Sequence, residues 1–384
     1  MAGWHSARSI LCVRLDNAGD VLMTTPALRA VKHAVAGRRI TLLTSHAGSA
    51  IACHVPEVDD VIAFDAPWVK NDSADEADAV LALRDTLASR RFDGAVIFTV
   101  YSQNPLPAAM LCYLAGIPLR LAHCRENPYH LLTDWVRESE PHERVRHEVE
   151  RQLDLVASIG AKATDLRLSF ALTDDDRRAA LAKLSDAGVD VDRPWLTIHP
   201  GASAPSRRYP AERFARVARE LAERLDCQIV LTGDATESAL AESVRADAGS
   251  DVWSVAGALE LNELGALIAM SPLLISNNTG PVHIAAALGT PVVDLYALTN
   301  PQHTPWQVLH RVLYHDVPCK NCYRSVCPMG HHACLRGVDV ATVVAAAVEL
   351  WQTRVPIKRN SKRHRHDHPW HQRRLPRLRS LHRA

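Results

Sequence analysis

Four short segments combine glycine and polar residues just after an aliphatic run, and they hold residue types that catalysis and phosphate binding need. In the first, RLDNAGDVL, Asp20 follows Gly19 shortly after the run that ends at Leu15. A carboxylate in such a turn can act as a general base toward a hydroxyl group. It can also be an ordinary acid in the first turn of a helix, and this segment alone favours that interpretation. The absence of a GxGxxG pattern here argues against a dinucleotide-dependent redox enzyme.

The next two segments offer groups that suit a nucleotide. In IHPGAS, followed by RRYP, Gly201 allows close approach to the backbone while Arg207 and Arg208 add positive charge, as a diphosphate site requires. The alternative is an exposed loop with solvated arginines. In LTGDATE, Glu237 can accept hydrogen bonds from ribose hydroxyls, as acids beyond a strand do in nucleotide sites. The alternative is again an acid in the first turn of a helix.

The fourth segment, SNNTGPVHIAAALG, has the pattern of a helix start that binds anions. Asn278 and Thr279 are good N-capping residues, and Gly280 leaves the backbone bare. A proline follows, which suits the first helical position, and the free amides of such a terminus bind phosphate. His283 lies one turn into the helix. Taken alone, this residue is better interpreted as a packed structural histidine.

A cysteine cluster near the C-terminus has the spacing C-x2-C-x4-C-x6-C. Four thiolates at this spacing can close a tetrahedron, so the cluster predicts a structural zinc ion, with an iron–sulfur cluster as a lesser alternative. Reduced thiols, or a disulfide in a surface loop, are the other interpretation. His331 and His332 are spare ligands. The cluster consists of Cys319, Cys322, Cys327 and Cys334.

These segments must be positioned by the elements around them, which alternate between aliphatic runs and amphipathic stretches. Such alternation predicts βαβ units and mainly parallel sheets, in which ligands bind beyond the carboxyl ends of the strands. The predicted strands are Ser9–Leu15, Arg39–Thr44, Val61–Phe64, Asp93–Thr99, Trp195–His199, Gln228–Thr232, Val252–Val255, Leu273–Ser276 and Pro291–Tyr296. The predicted helices are Asp20–His33, Ala74–Ser89, Ala211–Leu225, Ser238–Ala246, Leu261–Met270, Val282–Leu288 and Asp339–Trp351.

The alternation stops once, at the polar and helical stretch Thr173–Asp192, which suits a linker, and then restarts. A chain of 384 residues is too long for one ordinary α/β core, so we predict two α/β domains, residues 1–175 and 176–355. Ser102 and Asn104 follow a predicted strand of the first domain and are candidates for contact with an acceptor substrate. Residues 356–384 are rich in Arg, His and Pro and are predicted to be disordered.

The charge of the chain is unevenly distributed. The net charge is +1, but residues 358–384 hold ten Lys or Arg and one Asp, so this basic tail carries +9 and the remainder −8. Such a tail is attracted to an anionic membrane surface. Nucleic-acid binding through the tail is an alternative, which the acidic body and the absence of a nucleic-acid-binding motif argue against. No apolar run long enough to cross a membrane and no export signal is visible, so we expect a cytoplasmic protein.

The four segments, in this order, resemble the motifs of glycosyltransferase family 9, the ADP-heptose:lipopolysaccharide heptosyltransferases. The similarity covers about residues 9–350, and RLDNAGDVLMTTPALRAV and SNNTGPVHIAAALGTPVV are its most specific parts. The resemblance implies the GT-B fold, in which two Rossmann-like domains with mainly parallel sheets face a cleft. It also implies inverting transfer of heptose from ADP-heptose to a lipopolysaccharide-core or related glycolipid acceptor. That reaction would take place at the inner face of the cytoplasmic membrane, and catalysis would require no cofactor.

The resemblance also gives roles to individual residues. Asp20 matches the proposed catalytic base of the family. Arg207 stands where a Lys contacts the donor phosphates, and Glu237 stands where a Glu holds the donor ribose. The residues that match the donor-site motif of the family are Thr279, Gly280 and His283.

Two departures from the family pattern fall on the donor side. Asn278 stands where the family usually has Asp, which removes a negative charge beside the donor. The segment that begins at Tyr296 reads YALTNP, where the family usually reads like FGPT. These differences leave open a GT-B transferase or epimerase that uses another nucleotide sugar.

Overall fold

A six-stranded parallel sheet forms the first half of the chain in this computed structural model, which describes residues 3–69 and 76–354. Its strands are β1 (Ser9–Arg14), β2 (Arg39–Thr44), β3 (Asp60–Ala63), β4 (Gly94–Ile97), β5 (Leu119–Cys124) and β6 (Asp134–Arg137). Its helices are α1 (Ala18–His33), α2 (His46–Ala52), α3 (Ala77–Arg90), α4 (Leu106–Leu114) and α5 (Glu148–Ala157). The strands lie in the order β3-β2-β1-β4-β5-β6, and each neighbouring pair is parallel.

A second six-stranded parallel sheet follows, in the order β12-β11-β10-β7-β8-β9. Its strands are β7 (Trp195–His199), β8 (Gln228–Leu231), β9 (Val252–Ser254), β10 (Leu274–Asn277), β11 (Val292–Leu295) and β12 (His310–Leu313). The helices of this half are α6 (Asp174–Asp186), α7 (Ala211–Leu225), α8 (Ser238–Ala248), α9 (Leu261–Met270), α10 (Gly280–Leu288), α11 (Ala333–Arg336) and α12 (Val340–Arg354).

Both sheets have the doubly wound order of Rossmann folds, in which the chain begins at the centre, moves to one edge and returns to fill the other side. The strand order reverses between β1 and β4 in the first sheet and between β7 and β10 in the second. Loops at such a switch point separate and leave a crevice for a ligand. Asp20 follows β1 and Asn278 follows β10, so the fold brings both to switch points.

The two halves share apolar packing. The central strands are buried on both faces, as their continuous aliphatic sequences predict, and helices cover them. One contiguous apolar cluster contains Val21 and Leu22 of α1 together with Val282 and Ile284 of α10. Helices α1 and α10 therefore pack against each other across the junction, which fixes the distance between the loops at their N-termini.

All nine predicted strands are confirmed, with small shifts at their ends. Helix α1 begins at Ala18 and α10 at Gly280, slightly earlier than predicted. The polar stretch predicted as a linker contains α6, which packs against α9. The sequence did not indicate three strands and four helices, which are β5, β6, β12, α2, α4, α5 and α11.

Two of the predictions fall on residues outside the described part. The helix before β4 is predicted to begin at Ala74, which lies outside the described residues. In the structure, α3 begins at Ala77. The predicted disordered tail, residues 356–384, also lies outside the described residues. Among the residues that the structure describes, no helix combines the length and the apolar character needed to cross a membrane.

Candidate active site

A cavity of about 670 Å³ opens between the two halves, at the carboxyl ends of the central strands. Residues of both halves line it, a smaller set that includes Asp20 from the first half and a larger set from the second. That set includes every predicted donor-site residue, namely Arg207, Glu237, Asn278, Thr279, Gly280 and His283. Residues that are 187 to 263 positions apart from Asp20 in sequence therefore converge on one cavity.

The predicted catalytic residue belongs to a buried network of three carboxylates around one guanidinium group. Arg14, at the end of β1, is fully buried. Its nitrogens lie 2.9 Å from Asp16, 3.2 Å from Asp20 and 2.7 Å from Glu148 of α5. Three acids share one cation, so the network retains an excess of negative charge when all three are ionised. Such an arrangement favours uptake of a proton by one of its carboxylates.

Asp20 has both of the properties that the sequence offered as alternatives. Its Oδ2 accepts a hydrogen bond from the backbone N–H of Asn17 at 3.2 Å, so it is an acid in the first turn of α1. Its carboxyl group also borders the cavity, with 13% of the side chain exposed. Burial raises the pKa of Asp20 above its ordinary value, opposed mainly by the Arg14 guanidinium and reinforced by Glu148. A carboxylate with a raised pKa is a stronger base than a free aspartate.

A histidine that the sequence did not single out lies next to Asp20. His303 follows β11 in the chain, lines the cavity, and places its Nε2 3.9 Å from Oδ1 of Asp20. Burial lowers the pKa of His303 to about 4, against the opposing charge of Glu148. The imidazole is therefore neutral at physiological pH, and it adds a polar group beside the carboxylate without adding charge.

Arg207 stands on a loop that neighbouring side chains hold in place. Asn277, at the end of β10, donates from Nδ2 to the carbonyl oxygens of Pro200 and Gly201 at 2.7 and 3.2 Å. Its Oδ1 accepts from the backbone N–H of Tyr209 at 3.0 Å. One buried asparagine thus fixes both ends of the loop, and it holds the half-buried Arg207 at the wall of the cavity.

The N-terminus of α10 faces the same cavity. Thr279 precedes the helix, and Gly280 is its first residue. A Cβ atom on Gly280 would meet no atom within 4 Å, so packing does not explain the glycine. The open space lies in front of free amide groups, which is the arrangement that binds a phosphate group.

Glu237 lies so close to the backbone of Gly201, just after β7, that no side chain would fit at Gly201. A Cβ atom on Gly201 would lie 2.0 Å from Oε1 of Glu237. His199 lies beside the carboxylate, with its Nε2 3.6 Å from Oε2. Burial raises the pKa of Glu237. Its Oε2 also accepts from the backbone N–H of Asp234 at 3.2 Å, so the helix-acid interpretation holds as well, and Oε1 remains for a ligand.

His283 is buried and packs against α1. Burial is the main cause that lowers the pKa of His283 to about 3, and the neighbouring His303 adds to it. A Cβ atom on Gly19 would lie 2.8 Å from Cδ2 of His283. This contact favours the structural interpretation of His283, although the residue also borders the cavity.

The two acceptor candidates lie apart from the main cavity. Ser102 and Asn104 line a smaller one of about 90 Å³, together with Arg125 and Glu126. The intervening Gln103 donates from Nε2 to Oδ1 of Asp16, whose carboxylate pairs with Arg14. The loop that carries both candidates is therefore tied to the network around Asp20 through Gln103.

The four clustered cysteines are free thiols that line one small cavity of about 20 Å³ together with His331 and His332. Sγ of Cys319 lies 3.8 Å from Nε2 of His331. Within residues 3–69 and 76–354, no group of three or more His, Cys, Asp or Glu side chains is arranged to hold a metal ion. The structural zinc ion stays a prediction.

The loop that carries the clustered cysteines, residues 319–334 (the cysteine loop), supports the walls of the main cavity. Ser206 donates from its backbone N–H to the carbonyl oxygen of Ser325 at 2.9 Å, and from Oγ to that of Arg324 at 2.7 Å. On its other side, Tyr323 donates from its backbone N–H to the carbonyl oxygen of Thr299 at 2.8 Å. The loop thus contacts both the segment that carries Arg207 and the segment that leads to His303.

Comparison with known proteins agrees with this architecture. The sequence model of glycosyltransferase family 9 (heptosyltransferase) matches residues 80–333. The chain is 27% identical to lipopolysaccharide heptosyltransferase 2 of Escherichia coli over 305 residues, which are 77% of this chain and 84% of that protein. It is 26% identical to lipopolysaccharide heptosyltransferase 3 of the same organism over 299 residues, 75% of this chain and 82% of that one.

Solved structures share the fold. A family 9 glycosyl transferase from Veillonella parvula superposes with a TM-score of 0.76 at 22% identity, covering 92% of this chain and 99% of that one. The E. coli ADP-heptose lipopolysaccharide heptosyltransferase II gives a TM-score of 0.71 at 22% identity, covering 90% and 99%. The fold is therefore GT-B, as predicted. Because the family model matches more than half of the sequence, this chain belongs to glycosyltransferase family 9 and is a glycosyltransferase.

Proposed function

We propose that this glycosyltransferase moves heptose from ADP-heptose to a lipopolysaccharide-core acceptor, with inversion at the anomeric carbon. The single observation that supports the reaction most strongly is the position of Asp20, a carboxylate with a raised pKa on one wall of the cavity. The opposite half supplies a cation, Arg207, and the amide groups before α10. A base on one side and anion-binding groups on the other suit a single displacement.

In this proposal, Asp20 takes the proton of the acceptor hydroxyl as its oxygen attacks the anomeric carbon. The bond from that carbon to the diphosphate oxygen breaks at the same time, and the configuration inverts because attack and departure occur on opposite faces. Arg14 orients the Asp20 carboxylate through the contact of 3.2 Å. His303 is a neutral polar group on the cavity side, with its Nε2 3.9 Å from Oδ1 of Asp20.

The leaving diphosphate gains negative charge as the glycosidic bond breaks. Arg207 and the backbone amides near Thr279 and Gly280 are placed to stabilise it, and fixed donors of this kind act on the transition state without reorganisation. These protein groups supply the charge stabilisation that a bound Mg²⁺ gives in other transferases, so we propose that catalysis needs no cofactor. Glu237 then accepts hydrogen bonds from the ribose of the nucleotide.

The choice of ADP-heptose rests on the relatives, whose names specify heptosyl transfer and, for one solved structure, ADP-heptose. Isothermal titration calorimetry with ADP-heptose, UDP-glucose and GDP-mannose tests it directly. We expect ADP-heptose to bind at least about tenfold more tightly than the other two. Tighter binding of a UDP- or GDP-sugar would reject the donor, and no binding of any nucleotide sugar would reject the proposed function.

We further propose that the basic tail holds the enzyme at the anionic inner surface of the cytoplasmic membrane, where a glycolipid acceptor lies. Each basic residue near such a surface adds about 1 kcal/mol of attraction. Deletion of residues 358–384 should lower binding to anionic liposomes and leave turnover of a water-soluble acceptor nearly unchanged. Binding to neutral liposomes serves as the control. Loss of turnover on the soluble acceptor would show that the tail belongs to the active site.

A further inference from the structure

A buried carboxyl group of β11 lies directly behind the cavity wall. Oδ2 of Asp294 accepts a hydrogen bond from Nδ2 of Asn278 at 3.0 Å. The carbonyl oxygen of His303 accepts a second one from the same nitrogen at 2.9 Å. Asp294 is fully buried, and its Oδ1 has no partner among the described residues. Burial raises the pKa of Asp294 to about 8, opposed by the hydrogen bond from Asn278 and by the charge of Arg207.

These two contacts determine which way the Asn278 amide points. A primary amide has two N–H donors and one carbonyl acceptor, and both donors are used on the protein side. The carbonyl oxygen is therefore the group that Asn278 offers to the cavity that it lines. A half-turn of the amide would set its oxygen against the carbonyl oxygen of His303, an unfavourable contact between two acceptors.

Asn278 also lies at the end of the cavity where the chemistry takes place. The residue bonded to its amide, His303, places its ring nitrogen 3.9 Å from Oδ1 of Asp20. A general base must be within hydrogen-bond reach of the hydroxyl that attacks the anomeric carbon. The transferred sugar must therefore lie near His303 and Asn278, while the nucleoside lies further along the cavity.

We infer that Asp294 is a positioning residue that holds Asn278 so that its carbonyl oxygen accepts a hydrogen bond from a hydroxyl group of the transferred sugar. The inference rests on the proposed function, since it requires a nucleotide-sugar donor. It also gives a physical meaning to the departure at Asn278. In this chain a buried acid, Asp294, lies behind that position on β11, and a neutral acceptor faces the ligand.

The test compares two variants, Asp294→Leu and Asp294→Asn, by calorimetry with ADP-heptose and with ADP. Asp294→Leu removes the acceptor and should weaken ADP-heptose binding about tenfold, as expected for one lost neutral hydrogen bond, without changing the affinity for ADP. Asp294→Asn keeps an oxygen that can accept from Asn278 and should restore most of the affinity. Equal weakening of ADP and ADP-heptose by Asp294→Leu, or no weakening of either, would overturn the inference.

A second comparison holds even if Asp294→Leu is poorly stable. Asn278→Ala removes the carbonyl oxygen itself at the cavity surface and should also weaken ADP-heptose about tenfold, with ADP unaffected. Because Asp294 acts through Asn278, the double variant should bind ADP-heptose no more weakly than Asn278→Ala alone. Additive losses would overturn the inference. Failure of the wild-type protein to bind any nucleotide sugar would instead reject the proposed function.

Discussion

Gly19 and His283, from opposite halves of the chain, are so close that no side chain fits at Gly19. A Cβ atom there would lie 2.8 Å from Cδ2 of the imidazole. The contact joins the first turn of α1 to the first turn of α10, and both turns border the cavity. The residue directly before the proposed base is therefore a glycine because the two halves meet at that point.

Gly19→Ala should destabilise the protein by about 1–3 kcal/mol, because the methyl group overpacks a closed contact. The same substitution in a His283→Ala background should cost less than about 0.5 kcal/mol, since the imidazole is then absent. Chemical denaturation of the wild type, both single variants and the double variant gives the coupling energy. An equal cost in both backgrounds would show that the contact does not explain the glycine.

Glu237→Gln should weaken binding of ADP by about tenfold or more, because a hydrogen bond to a charged acceptor contributes about 1.5–3 kcal/mol. Turnover at saturating donor should change little, since the ribose is remote from the bond that breaks. The matched ligand is 2′,3′-dideoxy-ADP, which lacks both ribose hydroxyls and should bind the wild type and the variant alike. A variant that weakens both nucleotides equally would remove Glu237 from ribose recognition.

Asp294 makes the stability of the protein depend on pH. Burial raises its pKa from an ordinary 3.8 to about 8, so the folded state keeps a proton that the unfolded chain has released. The contribution of Asp294 to the free energy of unfolding is fully present below the unfolded pKa. It is lost as the pH rises toward the folded pKa, by at most about 1.4 kcal/mol per pH unit. Asp294→Asn cannot release this proton. The Tm of the wild type minus the Tm of Asp294→Asn should therefore decrease as the pH is raised from 5 to 8. A constant difference would contradict this prediction.

The cysteine cluster is predicted to hold a structural zinc ion. Protein purified without added metal should contain close to one zinc per chain by elemental analysis, and Cys322→Ser should lower both zinc content and Tm. Cys53→Ser is the matched control, because Cys53 is an exposed free thiol far from the cluster in sequence. A metal-free wild type with full activity, together with a Tm of Cys322→Ser equal to that of the wild type, would show that the cluster holds no structural metal.

Donor affinity should respond to the same substitution. Ser206, the neighbour of Arg207, is bonded to two carbonyl oxygens of the cysteine loop. Loosening that loop should therefore weaken ADP binding in Cys322→Ser, whereas Cys53→Ser should bind ADP as the wild type does.

The sequence predicted those parts of the site that depend only on the order of residues along the chain. Asp20, Arg207 and Glu237 each follow a strand whose aliphatic run is easy to recognise, and parallel strands end at the same edge of a sheet. That rule brings Arg207 and Glu237 together at the edge of the second sheet. Asp20, on the first sheet, reaches them because α1 packs against α10 across the junction. Recognition of the family motifs added their roles, which position in the fold does not determine.

Other parts of the site depend on tertiary contacts that no local pattern announces. Glu148 reaches Arg14 from 134 residues away in sequence, on a helix that the sequence did not indicate. His303 and Asp294 gain their importance only through distances of 3.9 Å to Asp20 and 3.0 Å to Asn278. The strands β6 and β12 were missed because their half-exposed sequences lack an aliphatic run.

The turnover of Asp20→Asn distinguishes a general base from an acid that only caps a helix. Asparagine keeps the shape of the side chain and an oxygen that can accept from the Asn17 N–H, but it cannot take a proton. Asp16→Asn is the matched control, since it removes another carboxylate that pairs with Arg14 but does not line the main cavity. Calorimetry with ADP-heptose shows whether the donor site survives in each variant.

If Asp20 is the general base, kcat of Asp20→Asn falls by about 10²–10⁴ while the Kd for ADP-heptose hardly changes, and Asp16→Asn loses far less activity. A kcat near that of the wild type would show that Asp20 is not the general base, because a residue that only caps a helix is replaced by asparagine without loss.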